Sequence, residues 1–131
     1  MIDIKTFSLV LAIGNIGFAL LMAGYTRPTC AAALRTWICS KLIVGSAYML
    51  LWVYRELEIP WMIVAATSAL IVGAGLEVAA YSAFFGFSRW KRVLYPATAV
   101  ALAGYHAALL AGASPEVIGA LISSIIIAFT G

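Results

Sequence analysis

Residues 61–87 read WMIVAATSALIVGAGLEVAAYSAFFGF, an apolar segment that contains one acidic residue, Glu77. A helix rises about 1.5 Å per residue, so about 20 residues cross a hydrocarbon core of roughly 30 Å. The segment is therefore long enough to span a membrane. Small residues at every fourth position, Ala65, Ala69 and Gly73, share the helix face of the acid. Such a face lets another helix approach closely, so we expect the carboxyl to point at protein rather than lipid.

The composition of the whole chain is typical of an integral membrane protein. Of its 131 residues, 65% are hydrophobic and 10% are charged, whereas about 25% are charged in soluble domains. No polar stretch is long enough for a linker or a second domain, so residues 1–131 are predicted to form one transmembrane helical domain. The formal charge of +3 comes from basic residues beside apolar segments. This distribution favours the lipid bilayer as a partner and argues against nucleic acid.

Breaks in the apolar pattern divide the chain into five segments, which predicts an all-α bundle of five transmembrane helices. The breaks fall near Pro28, Pro60 and Pro115 and at the basic loop 88–92, since proline does not continue a helix. The predicted helices cover about residues 6–25, 34–54, 61–87, 92–112 and 115–131. The apolar sequence reaches Gly131 without the basic residues that mark a cytoplasmic end. We therefore expect the chain to be truncated from a longer protein.

The distribution of lysine and arginine predicts the orientation. Cytoplasmic loops carry an excess of these residues. With the first and third loops in the cytoplasm, only Lys5 and Arg55 lie outside, so the N-terminus is out and the C-terminus is in. The cytoplasmic set is Arg27, Arg35, Lys41, Arg89, Lys91 and Arg92. Cys30 and Cys39 then lie toward the reducing compartment, where free thiols are expected.

Two charged residues within the predicted spans are the first candidates for a functional site. A charged side chain at the centre of a helix costs about 3 kcal/mol on insertion scales, so Glu77 is expected to have a partner or a function. Lys41 lies a turn or so inside the second helix. The simpler interpretation is that the side chain extends until its ammonium reaches the lipid headgroups. The alternative is an ion pair with Glu77. The carboxyl is then either neutral or paired.

Three further polar residues complete the set of candidates for a ligand site or polar core. Asn15 lies near the middle of the first helix, on a face that it shares with Ser8, Ala12 and Ala19. We predict a structural hydrogen bond from its amide to a neighbouring helix. The other two candidates, Tyr81 and His106, belong to the third and fourth helices.

The residues do not predict a metal site, a cofactor or a catalytic centre. His106 is the only histidine, and the cysteines are too few and too far from it for a zinc spacing. Methionines on other helices make a weak set of haem ligands, so His106 is read as a packed or interfacial residue. No pattern of serine, histidine and aspartate, phosphate loop or carboxylate pair is recognisable on the spans.

The order of these features resembles the N-terminal multi-helix membrane region of bacterial GGDEF-type diguanylate cyclases. The stretches that carry the resemblance are MIDIKTFSLVLAIGNIGFALL at 1–21, RTWICSKLIVGSAYMLLW at 35–52 and IPWMIVAATSALIVGAGLEVAAYSAFFGF at 59–87, followed by the basic loop 88–92. The likeness covers essentially the whole chain. It implies a location in the bacterial inner membrane and a cytoplasmic enzyme that makes cyclic di-GMP. The chain contains no GGDEF sequence, so it is not expected to be an enzyme itself.

Three functions are compatible with these features. The first is a sensory or dimerising domain, in which a small-molecule signal, a lipid or a protonation event biases two arrangements of the helices. Such a domain would associate with a second copy through its small-residue faces. The second is a small proton-coupled transporter that uses Glu77 to exchange protons for a cationic substrate. The third is a structural membrane subunit, which needs only the small-residue faces.

Overall fold

A computed structural model describes residues 3–26 and 31–130, and the secondary structure of this part of the chain is helical. Four helices, α1 to α4, are long and apolar enough to cross a membrane, as a multi-pass membrane protein requires. The fifth, α5, has 16 residues, or about 24 Å of helix. The bounds are α1 Ile4–Tyr25, α2 Ala32–Leu57, α3 Pro60–Phe84, α4 Lys91–Leu110 and α5 Pro115–Thr130, with a short 3-10 turn at Ser88–Trp90.

The predicted ends of the third and fourth helices are too late, because a glycine terminates each helix earlier. Gly86 has φ 78° and Gly112 has φ 68°, a left-handed conformation that ends helices and favours glycine. After α3, the amide of Phe87 donates to the carbonyl of Ser82 at 2.7 Å. This bond closes the last turn, so α3 stops at Phe84 rather than at residue 87. The same pattern ends α4 at Leu110.

The helices pack as neighbours in chain order. The most extensive contact joins α2 and α3, with α1 on α2, α4 on α3, and α5 against α3 and α4. Large apolar side chains point away from these contacts, which is the pattern of helices that face lipid. Examples on α1 are Phe7, Ile13 and Leu20, each more than half exposed. The predicted inner face of α1 is confirmed, since Ser8, Ala12 and Ala19 are buried.

The contact between α2 and α3 is close because small residues line it. Gly73 is buried, and a Cβ at this position would lie 2.5 Å from Cγ2 of Val44. Ala65 and Ala69, on the same predicted face, are half-buried. The sequence prediction missed a second close approach, in which Gly75 faces Thr98 of α4. The small residues of α3 therefore serve packing within the chain on two sides.

Candidate functional site

An ion pair between two predicted spans is the centre of the candidate site. Nζ of Lys41 on α2 lies 2.6 Å from Oε1 of Glu77 on α3. The two side chains are 19% and 22% exposed. The ammonium also lies 5.6 Å from the ring centroid of Trp37, one turn earlier on α2, and the negative face of an indole stabilises a cation. The interpretation in which Lys41 extends to the headgroups is therefore wrong, and the alternative pairing is present.

Tyr81 extends this pair along α3. It lies one helical turn after Glu77, which places the two side chains on the same face. Its hydroxyl donates to the same oxygen, Oε1, at 3.0 Å. One carboxylate oxygen thus accepts from an ammonium and a phenol, and hydrogen bonds to an ionised acceptor are stronger than those between neutral groups. The arrangement fixes the carboxylate against both helices.

A buried serine also joins α2 to α3, and the sequence did not predict its hydrogen bond. Ser40 is fully buried, and its hydroxyl donates to the carbonyl oxygen of Gly73 at 2.8 Å. Ser40 precedes Lys41, and Gly73 lies one turn before Glu77. The bond therefore lies directly beside the ion pair. The signal that could have predicted this hydrogen bond is a serine that adjoins a charged residue and faces the small residues of another helix.

Asn15 lies near the pair but does not join it. Its amide nitrogen donates to the carbonyl oxygen of Leu11 on its own helix, at 2.8 Å. The predicted bond to a neighbouring helix is wrong, because a side chain in a helix can satisfy itself on the carbonyl four residues earlier. Asn15 does line a lateral cleft of about 310 Å³ together with Lys41, Tyr81 and Trp37. Lys41 of the ion pair thus borders this cleft.

Glu77 also lines a second, more enclosed cavity. This cavity measures about 220 Å³ and lies between α2, α3 and α5. Its polar lining residues are Glu77, Tyr48 and Thr67, and the others are apolar. The ion pair therefore forms part of the wall between a cleft beside α1 and a cavity beside α5. A change on either side can act on the contact between α2 and α3.

His106 is separate from this centre. Its side chain is exposed on α4, with Nδ1 2.9 Å from the carbonyl oxygen of Leu102 and Nε2 3.4 Å from Oγ of Ser68. Ser68 lies nine residues before Glu77, about 14 Å along the helix. Within residues 3–26 and 31–130, no three histidine, cysteine or acidic side chains converge as metal ligands. Cys39 is an exposed free thiol, and Cys30 lies outside the described residues.

The helices and the ion pair together define the class: a helical membrane protein in which two predicted spans are joined by a lysine and a glutamate. The chain matches no protein-family model, no curated protein sequence and no solved structure. The resemblance to the membrane region of diguanylate cyclases thus stays a prediction.

Proposed function

We propose that the chain is a membrane sensory domain that regulates a cytoplasmic diguanylate cyclase, with the enzyme outside the present sequence. The observation that supports this proposal is the position of the pair between Lys41 and Glu77. It joins the two most closely packed helices and borders a cleft on one side and a cavity on the other. A signal that binds one arrangement of these helices better than another shifts the population of the two. The pair is the element on which such a shift would act.

The same geometry disfavours the proton-coupled transporter. A transporting carboxylate must exchange its proton for a cationic substrate. The carboxylate of Glu77 already holds the ammonium of Lys41 at 2.6 Å and the hydroxyl of Tyr81 at 3.0 Å. Because Lys41 is tethered to α2, it is a resident cation that a substrate would have to displace. A structural subunit would need neither the ion pair nor the two cavities.

A homodimer is part of the proposal, and the glycines of α1 offer an interface for it. The face that carries Gly73 packs on α2 within the same chain, so a second copy cannot use it. Gly14, Gly17 and Gly24 of α1 have open space at the position of a Cβ. These glycines leave room for the close approach of a second copy. Disulfide crosslinking between two copies of Gly17→Cys tests this interface, and its absence in a bilayer would argue for a monomer.

The orientation that suits this function has the N-terminus out and the C-terminus in, across the bacterial inner membrane, with α5 as a fifth span. Lys5 pairs with Glu56 at one end of α1 and α2, on the side assigned to the exterior. Arg92, in the first turn of α4, lies at the other side and is exposed. With both native cysteines replaced by serine, a thiol at Arg92→Cys should react only from the cytoplasm, and one at Arg55→Cys only from outside. The opposite result would invert the topology.

The test of the function begins with the parent gene. We expect its reading frame to encode a GGDEF domain after Gly131 and its product to raise cyclic di-GMP in cells. The neutral double variant Lys41→Met with Glu77→Gln should change the cyclic di-GMP level at equal protein abundance in the membrane. The matched control, Lys5→Met with Glu56→Gln, removes an exposed pair and should leave the level unchanged.

Two outcomes would contradict this function. A stop codon directly after Gly131, with unaltered cyclic di-GMP, would remove the proposed output. Proton-linked uptake of a cation that is abolished by Glu77→Gln would favour the transporter instead.

A further inference from the structure

A threonine of the enclosed cavity has a hydroxyl that makes no hydrogen bond to the residues that the structure describes. Thr67 is 9% exposed and lines the cavity of about 220 Å³ between α2, α3 and α5. Other helical hydroxyls donate to the carbonyl four residues earlier, as Ser68 and Thr98 do at 2.8 Å. The hydroxyl of Thr67 makes no such bond to any described residue. No fully buried side-chain nitrogen or oxygen of the described residues lacks a partner, so this hydroxyl is accessible, and it can bond a small molecule that enters the cavity.

A second hydroxyl lies at the same depth. The contacts of Lys41 with Glu77 and of Val44 with Gly73 set the register of the antiparallel helices α2 and α3. Four residues further along α2, this register places Tyr48 within about one turn of Thr67. Tyr48 also lines the cavity, and its hydroxyl has no hydrogen bond among the residues that the structure describes. Thr67 and Tyr48 thus bring two hydroxyl groups to the same depth of the cavity.

The remaining lining selects against a charged ligand. The body of the cavity is apolar, and its other lining residues are Val44, Leu70, Ile71, Ala74, Ile122 and Ile125. Glu77 lies ten residues after Thr67, about 15 Å along α3. Its charge is already balanced by Lys41. An apolar cavity with a few convergent polar groups is the usual form of a small-molecule site.

We propose that this cavity binds a neutral, mainly aliphatic molecule with a hydroxyl at one end. The hydroxyl of Thr67 donates to the oxygen of the ligand, and the ligand donates in turn to the oxygen of Tyr48. The aliphatic chain lies along Ile71 and Ala74 toward the far end, against Ile122 of α5. Because α5 forms one wall, an occupied cavity constrains the position of α5 on α3. The role of this ligand as the signal rests on the sensory function proposed above, whereas its binding does not.

The test uses tritiated 1-octanol as the probe and the full chain in lipid nanodiscs. We expect saturable binding of one molecule per chain above the uptake of empty nanodiscs. Thr67→Val should weaken binding about fivefold or more, the loss of one hydrogen bond of about 1 kcal/mol. It should not lower the melting temperature, because the hydroxyl has no internal partner to lose. A lower melting temperature with unchanged binding would show a structural role and overturn the proposal.

The second part of the test compares a variant that fills the cavity with a matched control. Ile122→Trp places an indole in the cavity and should abolish saturable binding. Ile127→Trp, on the same helix at a side chain that is 66% exposed, is the matched control and should bind as the wild type does. Equal binding by Ile122→Trp would overturn the site. If a phospholipid chain occupies the cavity instead, octanol does not displace it and Ile122→Trp does. That result would overturn the free alcohol as the ligand.

The two proposals fail separately. Octanol that binds as described but leaves cyclic di-GMP unchanged would remove the ligand as a signal and leave the site. Absence of binding, together with an altered output in the neutral double variant of Lys41 and Glu77, would remove the ligand and leave the sensory function.

Discussion

Glu77→Gln is expected to lower the free energy of unfolding by about 2–3 kcal/mol, somewhat less than the loss of one partner of a fully buried ion pair, because this pair is partly buried. The amide can still accept from Tyr81, but it cannot balance the charge of Lys41. The side chain of Lys41 is 19% exposed and its ammonium already lies over the ring of Trp37, so the charge has little access to another counter-charge. Reversible unfolding of both proteins in the same detergent measures the loss.

A second substitution should recover most of this loss. Lys41→Met removes the unpaired charge and keeps an unbranched side chain of similar length, so the double variant is expected to unfold within about 1 kcal/mol of the wild type. The matched control is the pair of Lys5 and Glu56, with side chains that are 40% and 47% exposed. Glu56→Gln should cost about 0–1 kcal/mol. Losses of Lys41→Met and Glu77→Gln that simply add would show that the two residues do not interact.

Gly73→Leu is the second change with a large expected effect. A Cβ at residue 73 would lie 2.5 Å from Cγ2 of Val44 and 3.5 Å from the backbone nitrogen of the same residue. The added Cβ is too close only to the side chain of Val44, since 3.5 Å to the backbone is an ordinary contact. The further carbons of leucine then have to fit between the two helices, so we expect α2 and α3 to separate. Overpacking of this kind costs about 1–3 kcal/mol or more. Separation would also break the bond from Ser40 to the carbonyl of Gly73 and lengthen the ion pair beside it.

The matched control for this change is Gly104→Leu. Gly104 lies inside α4, where a Cβ would have nothing within 4 Å, so leucine should be tolerated and should add helix propensity. Thermal melting of both variants in detergent distinguishes them. Equal melting temperatures for Gly73→Leu and the wild type would mean that α2 and α3 are not in close contact.

The helical architecture follows from sequence patterns that act locally. Long apolar segments and prolines at their borders predicted where the helices lie, with starts within two residues of those observed. The shared face of Ala65, Ala69 and Gly73 predicted a close neighbour for α3, and the structure identifies that neighbour as α2 at Gly73. The ion pair was one of two interpretations of Lys41, because spacing along one helix does not tell which helix faces it.

The features that were missed depend on contacts between helices or on alternatives within one turn. The amide of Asn15 could bond either a neighbouring helix or the carbonyl oxygen of Leu11, and it bonds Leu11. The bond from Ser40 to Gly73 requires the register of α2 against α3, which no single segment encodes. The ends of α3 and α4 required recognition of Gly86 and Gly112 as left-handed residues. The cavity beside Thr67 exists only because α5 returns to that side of the bundle.

The most direct test of the central claim is the environment of the Lys41 ammonium in a bilayer. Solid-state NMR on protein with ¹⁵N-labelled lysine and ¹³C-labelled glutamate, reconstituted in phospholipid, measures which carbon or phosphorus nucleus lies beside Nζ. The structure predicts a strong correlation between Lys41 Nζ and the carboxyl carbon of Glu77, as the distance of 2.6 Å to Oε1 requires. The correlation should disappear in Glu77→Gln. The double variant with Lys41→Met should remain folded. A correlation of Lys41 Nζ with lipid phosphorus, and none with Glu77, would contradict the ion pair.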